Sequence, residues 1–131
     1  MFKVLAVVLG LLLAFSITFI GGAEQMSAKI ETYAQTKFTE PKIEEYAFYN
    51  MEYTYWVAKY DLTLKQIEKF EEKYPYSTRL SEVIYLKART YDRKLVNRTA
   101  MDLYSKYLQD YPDGKRAKDS KQRLDELKTG F

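Results

Sequence analysis

The sequence predicts an all-α protein, in which an apolar N-terminal helix precedes a short α-solenoid of antiparallel helix pairs. Three observations point to this fold. Glycine and proline, which break helices, number only five and three in 131 residues. An uncharged apolar run opens the chain, and two later segments repeat one helical pattern. Because a single helix pair cannot cover its own apolar faces, repeated pairs are expected to stack.

The composition is that of a globular protein and excludes several functional classes. Hydrophobic residues make up 47% of the chain and charged residues 30%, a balance typical of folded domains. The net charge of +3 is too small for the dense basic face of a nucleic-acid-binding protein, so no nucleic-acid partner is predicted. Cysteine and histidine are both absent, which removes thiolate chemistry, the commonest metal ligand and the commonest general base. We therefore predict no enzyme activity, catalytic residue, metal, cofactor or small-molecule substrate.

Residues 1–22 form the first element, a transmembrane anchor or a signal segment. The run from Val4 to Ile20 carries no charge, and as a helix it would span roughly 25 Å. This length is short for crossing a bilayer and long for the apolar part of a signal peptide. The small residues Gly21, Gly22 and Ala23 would suit signal cleavage, so both interpretations stay open, and the length of the run favours the anchor.

If the segment is an anchor, five large apolar side chains are expected to contact lipid: Leu5, Leu9, Leu12, Phe15 and Phe19. Lysines on its two sides are nearly balanced, so the positive-inside rule does not decide its orientation. The signal-like start favours a single-pass protein whose C-terminal domain is extracytoplasmic, in the periplasm. The alternative is a soluble periplasmic protein that begins near Glu24.

The second element, residues 23–41, is predicted to be an amphipathic linking helix. Its apolar stripe comprises Met26, Ile30, Tyr33, Ala34 and Phe38. Such a helix would lie on the lipid headgroups or cap the domain that follows. Both interpretations stay open.

A repeat occupies residues 42–131. Residues 60–75 align without gaps to residues 97–112, and Pro75 and Pro112 stand 37 residues apart. Each segment has apolar residues at helical spacing and ends at its proline, which disfavours helix in the residue before it. With Ser77 as the N-cap of the next helix, the pattern predicts repeats at about 44–77 and 81–114 and a capping helix at about 115–128.

The spacing of small and aromatic residues resembles the tetratricopeptide repeat (TPR). The second repeat has the family's residue types at Ala88, Tyr91, Ala100, Tyr104 and Pro112. The first repeat agrees at Thr63, Ile67 and Pro75 and departs at Met51 and Thr54. The Tyr-Pro ending is similar to that of bacterial envelope TPR proteins, such as outer-membrane assembly lipoproteins and the periplasmic Tol–Pal coordinator. The resemblance implies stacked helix pairs that bind other proteins, although the lipidated cysteine of those lipoproteins is absent.

The helix that opens the repeat domain carries the candidate partner-binding residues. One aromatic stripe comprises Tyr46, Tyr49, Tyr53, Trp56 and Tyr60, and a second apolar stripe comprises Phe48, Met51 and Tyr55. A helix that is apolar on two sides is expected to be covered on two sides. Either both stripes pack within the array, or the stripe rich in Tyr and Trp anchors a partner.

Together these features predict a membrane-tethered protein–protein interaction scaffold, an accessory subunit of a larger membrane complex. Its partners would be other protein subunits, with membrane lipid contacted through the N-terminal helix. The alternative is a soluble periplasmic TPR adaptor released by signal cleavage. A basic cluster at Arg89, Arg93, Lys94 and Arg98 is interpreted as solvated surface charge, although anionic lipid or an acidic partner would also suit it.

Overall fold

The computed structural model describes residues 2–130, except for the side chains of residues 2 and 17–20. This part of the chain contains seven helices and no strand. They are α1 (Phe2–Gly21), α2 (Ala23–Lys37), α3 (Lys42–Trp56), α4 (Tyr60–Lys73), α5 (Leu80–Arg93), α6 (Asn97–Asp110) and α7 (Ala117–Thr129). The all-α prediction is confirmed.

Helix α1 contacts α2 and exposes its described side chains, which run from residue 3 to residue 16. Four predicted anchor residues lie more than half exposed: Leu5 at 57%, Leu9 at 51%, Leu12 at 58% and Phe15 at 68%. The fifth, Phe19, has a side chain outside the described part. Among the described residues, no helix has both the length and the apolar character that crossing a membrane requires.

Helices α2 to α7 pack in chain order, each against the next, and α3 also contacts α5. The largest group of buried side chains lies where α3, α4 and α5 meet and comprises Phe48, Met51, Tyr55, Ile67, Phe70, Val83 and Leu86. A second group joins α5, α6 and α7 through Ala88, Ala100, Tyr104 and Leu124. Ala88 and Ala100 are fully buried, and their small size permits a close approach of α5 and α6.

The backbone follows the same 37-residue period as the sequence. Each hairpin turn, between α3 and α4 and between α5 and α6, contains one residue at φ 60°, Ala58 or Leu95. The next residue donates its N–H back to the preceding helix: Lys59 to the Thr54 carbonyl at 2.9 Å, and Val96 to the Tyr91 carbonyl at 3.0 Å. The two hairpins are therefore equivalent in geometry as well as in sequence.

The loops that follow α4 and α6 are equivalent as well. Ser77 N–H donates to the Tyr74 carbonyl at 3.1 Å, and Gly114 N–H donates to the Tyr111 carbonyl at 2.9 Å. The Ser77 hydroxyl accepts the N–H of Arg79 at 3.0 Å, but α5 begins only at Leu80. Ser77 therefore caps the turn before α5 and is not the residue at which the helix starts.

The helices give the array two distinct ends. Helix α2 runs antiparallel to α3, since Ser27, early in α2, meets Asn50, while Phe38 stacks on Tyr46 near the start of α3. We call one end of the array the junction end, because α1 joins the array there. It carries residues 21–23 and the hairpin turns 57–59 and 94–96. The opposite, loop end carries residues 38–41, 74–79 and 111–116.

Candidate partner-binding groove

A groove of about 470 Å³ lies between α2 and α4, with α3 as its floor. This volume falls within the range of ligand-binding clefts. Its lining is mixed, with Ala28 and Glu31 from α2, Ile43, Tyr46 and Asn50 from α3, and Leu62, Lys65 and Lys69 from α4. An open site of this composition can hold an extended or helical segment of chain that has both apolar and charged side chains.

A strip of buried polar side chains links the three helices beside the groove. Gln66 Nε2 on α4 donates to the Ser27 hydroxyl on α2 at 2.7 Å, and its Oε1 accepts the Thr54 hydroxyl on α3 at 2.7 Å. The Thr54 and Thr63 hydroxyl oxygens lie 2.9 Å apart, and both residues are fully buried. Because buried polar groups are costly without partners, this strip holds α2 and α4 at one separation across α3.

Asn50 is the polar group of the groove floor that remains incompletely paired. Its side chain is 5% exposed, and Nδ2 donates to the Ser27 carbonyl at 3.1 Å. Its Oδ1 accepts no hydrogen bond from the described part of the protein. An unpaired buried acceptor costs about 1–3 kcal/mol. The Oδ1 atom is itself covered by protein, so this cost falls on the folded array.

The two walls of the groove have opposite charge. Helix α2 contributes the exposed carboxylates Glu24 and Glu31, whereas α4 contributes the exposed ammonium groups of Lys65 and Lys69. Asp61 at the start of α4 also lines the groove, but its carboxylate is already ion-paired. The lysines stand four residues apart, so they project from the same face of α4. A segment in the groove would be oriented by these walls, with its acidic side chains toward α4 and its basic side chains toward α2.

The loop end of the groove is closed by an ion pair. Lys73 Nζ lies 3.0 Å from Glu40 Oε1, and the Tyr74 hydroxyl also donates to Glu40. Hydrogen bonding to Tyr74 and Glu40 raises the pKa of Lys73 above its ordinary value. Lys73 is therefore a fixed positive charge at neutral pH, and the loop before α3 is tied to the end of α4.

The residues of the predicted aromatic stripe lie in different environments. Tyr46 lines the groove, and its ring is stacked on that of Phe38 at 5.1 Å between centroids. Tyr49 and Trp56 are 49% and 76% exposed. Tyr53 is half-buried, and this burial raises the pKa of its phenol.

The prediction that Tyr60 continues this stripe is wrong. Helix α3 ends at Trp56, and the turn through Ala58 reverses the chain before Tyr60 begins α4. The Tyr60 ring lies 5.8 Å from that of Tyr55, against the buried core. The second stripe, Phe48, Met51 and Tyr55, is buried in that core, as the packing interpretation requires.

Several groove residues did not emerge from the sequence pattern. Ser27, Asn50 and Gln66 are single polar residues on otherwise apolar faces, and their convergence depends on how α2 packs against α3. Lys65 and Lys69 follow helical spacing and could have been found as a basic stripe on α4. Among the described residues, no cluster of acidic side chains is arranged to hold a metal ion.

Comparison with protein-family models and with curated proteins finds no match for this chain.

Proposed function

We propose that this protein is a membrane-tethered scaffold that binds a segment of another protein in the groove between α2 and α4. The observation that carries the proposal is an open, partly apolar groove whose α2 wall carries exposed carboxylates and whose α4 wall carries exposed lysines. A polypeptide segment can supply apolar side chains for the floor together with charges of both signs for the walls. The charged walls would then select its side chains and direction.

The repeated hairpins support a TPR-like array, close to the repeats of bacterial envelope proteins. Equivalent turns recur at 37 residues, and each helix pair shares its buried face with the next. Arrays of this kind present grooves that bind segments of other proteins. Binding, and not catalysis, is therefore the proposed activity, and it needs no cofactor.

The exposed apolar side chains of α1 support the membrane part of the proposal. Valine, leucine and phenylalanine are exposed on all sides of this helix, an arrangement that is costly in water. Lipid or the transmembrane helices of other subunits would cover them. The array would then lie outside the cytoplasm, and the protein would act as an accessory subunit of a membrane complex.

The test combines gentle detergent extraction with a groove variant. The full-length chain is expected in the membrane fraction, migrating with a larger assembly on native separation, with its intact mass including residues 1–22. Ala28→Trp places a large ring in the groove at an exposed position of α2 and is expected to release the partner without loss of helix content. A mature chain that begins near Glu24 and runs alone would instead support the soluble periplasmic adaptor.

If Ala28→Trp leaves the assembly intact, the groove is not the binding site, whichever fraction the protein occupies. The same change on α7, Lys118→Trp, is the control, because Lys118 is exposed and distant from the groove.

A further inference from the structure

The junction end of the array exposes large apolar side chains that the proposed groove does not use. Trp56 is 76% exposed at the end of α3, and Leu95 and Val96 are 80% and 39% exposed in the turn between α5 and α6. Trp56 is the last residue of α3, whereas Leu95 and Val96 lie in the turn of the next hairpin, so all three lie at the junction end of the array. That end is also where α1 meets α2.

The backbone at Leu95 adds a second observation. Leu95 adopts φ 60°, a region that leucine enters at a cost of about 1–3 kcal/mol. The equivalent Ala58 has the same φ but only a methyl group to expose. An exposed leucine at a strained position adds nothing to the folded array, so a contact outside the array accounts for it best.

Basic side chains surround the apolar group. Arg93, Lys94 and Arg98 are exposed in or beside the second turn, and Lys59 lies in the first. Two carboxylates reduce this charge: Asp61, which pairs with Lys94, and Glu24 at the start of α2. The remaining cations flank Trp56 and Leu95, which is the arrangement of residues found at membrane interfaces.

We infer that the junction end lies against the surface of an anionic bilayer, with Trp56 and Leu95 at the level of the lipid headgroups. Arg93 and Arg98 contact lipid phosphates beside them. The inference rests on the proposed membrane attachment through α1, which would bring this end of the array to the bilayer. Lipid suits the surface because an amphipathic indole, an exposed leucine and cations lie at the same end of the array.

Trp56 is the single tryptophan of the chain, so its fluorescence reports on this surface alone. The full-length protein is reconstituted into vesicles of phosphatidylcholine with phosphatidylglycerol, and the bound fraction is isolated by flotation. Lipids brominated near the top of their acyl chains then serve as quenchers. We expect the Trp56 emission to shift to shorter wavelength and to be quenched.

Moving the reporter to the loop end provides the matched control. Trp56→Phe combined with Tyr76→Trp places the only indole at a residue that is 96% exposed in the loop between α4 and α5. This emission should remain at long wavelength and unquenched. In a third variant, Arg93→Gln with Arg98→Gln, the interfacial binding constant should fall about fivefold for each charge removed, and quenching of Trp56 should decrease accordingly.

The outcomes separate this inference from the proposed attachment. A chain that does not float with vesicles contradicts the attachment, and the inference with it. A chain that floats while Trp56 is quenched no more than the Tyr76→Trp reporter overturns the inference and leaves the attachment standing. If Trp56 is shielded from aqueous iodide but not reached by brominated lipid, a second protein copy or another protein covers the junction end, and the lipid assignment is wrong.

Discussion

The hydroxyl of Tyr107 occupies the space that a side chain on Gly114 would need. A Cβ built on Gly114 would overlap the Tyr107 hydroxyl oxygen and would lie 3.0 Å from both Cβ and the carbonyl oxygen of Tyr111. Tyr107 is fully buried, and its hydroxyl accepts the N–H of Arg116 at 3.0 Å, so the ring is held in place. At the equivalent positions 37 residues earlier, phenylalanine (Phe70) and serine (Ser77) replace this pair.

Gly114→Ala is expected to destabilise the array by about 1–3 kcal/mol, the usual cost of inserting an atom into a packed site. The added methyl must displace the Tyr107 hydroxyl from its hydrogen bond to Arg116. Chemical denaturation followed by far-ultraviolet circular dichroism measures the loss.

A double-mutant cycle tests the physical reason. Tyr107→Phe removes the hydroxyl and restores the side-chain combination of the first repeat. Gly114→Ala should therefore cost less in the Tyr107→Phe background than in the wild type. The added methyl would still lie 3.0 Å from two atoms of Tyr111, so Tyr107→Phe should restore only part of the lost stability. Additive effects of the two substitutions would show that the hydroxyl is not the obstacle.

The ion pair between α5 and α7 predicts a loss of stability in acid. Arg123 donates to both carboxylate oxygens of Asp92, at 2.7 and 2.9 Å, and Tyr104 donates at 3.1 Å. The hydrogen bonds from Arg123, together with its charge and the Tyr104 hydroxyl, hold the pKa of Asp92 below its ordinary value despite burial. A lowered pKa in the folded state contributes stability above the unfolded-state pKa of about 3.9, and this contribution is lost as the pH falls through the folded-state pKa.

Asp92→Asn should cost about 2 kcal/mol at neutral pH, since hydrogen bonds to charged groups contribute about 1.5–3 kcal/mol. Below about pH 4 the difference between variant and wild type should shrink, because the unfolded wild-type chain then binds a proton that the folded carboxylate takes up only at lower pH. Urea denaturation across this pH range measures both quantities. Arg123→Gln removes the same pair from its other side and should show the same convergence in acid; a constant difference at every pH would contradict the assignment.

Sequence periodicity predicts the stacking of helices because it shows which face of each helix is apolar and must be buried. Ile67 and Tyr104 stand at equivalent positions in the repeat, and both are buried. The sequence pattern does not predict the turn before Tyr60, because the residue with a left-handed backbone conformation there is Ala58 and not a glycine. Periodicity within a helix carries no information about side chains that converge from different helices.

The groove illustrates that limit. Ser27, Asn50 and Gln66 come from three helices, and they meet only because α2 packs antiparallel to α3. In sequence each is one polar residue near an apolar stripe, which is equally consistent with a solvated position. The arrangement depends on tertiary packing, which the pattern within each helix does not predict.

Asn50→Leu should leave the stability of the array nearly unchanged. The substitution removes a buried acceptor that has no partner in the described protein, at the expense of one hydrogen bond to the Ser27 carbonyl. The two effects are each about 1 kcal/mol and opposite in sign, so the melting temperature should change little. The groove partner should still bind, because the Oδ1 atom is covered by protein and makes no contact with a ligand. Thr54→Val is the contrasting variant: it breaks the bond to Gln66 and should lower the melting temperature.

The charge of the α4 wall predicts that reversing the charge of Lys69 weakens partner binding, whereas the same change at a lysine outside the groove does not. Lys69→Glu reverses an exposed charge on α4 beside the groove, whereas Lys118→Glu makes the same change on α7. Both lysines are exposed, so each reversal should alter stability by no more than about 0.5 kcal/mol. Lys69→Glu should weaken partner binding by slowing association and reducing its dependence on salt, because α4 would no longer attract acidic side chains. Surface-immobilised binding measurements at two salt concentrations supply the association rates. Equal rates for the two variants would mean that the partner does not contact α4, and the groove would then have to be abandoned as its binding site.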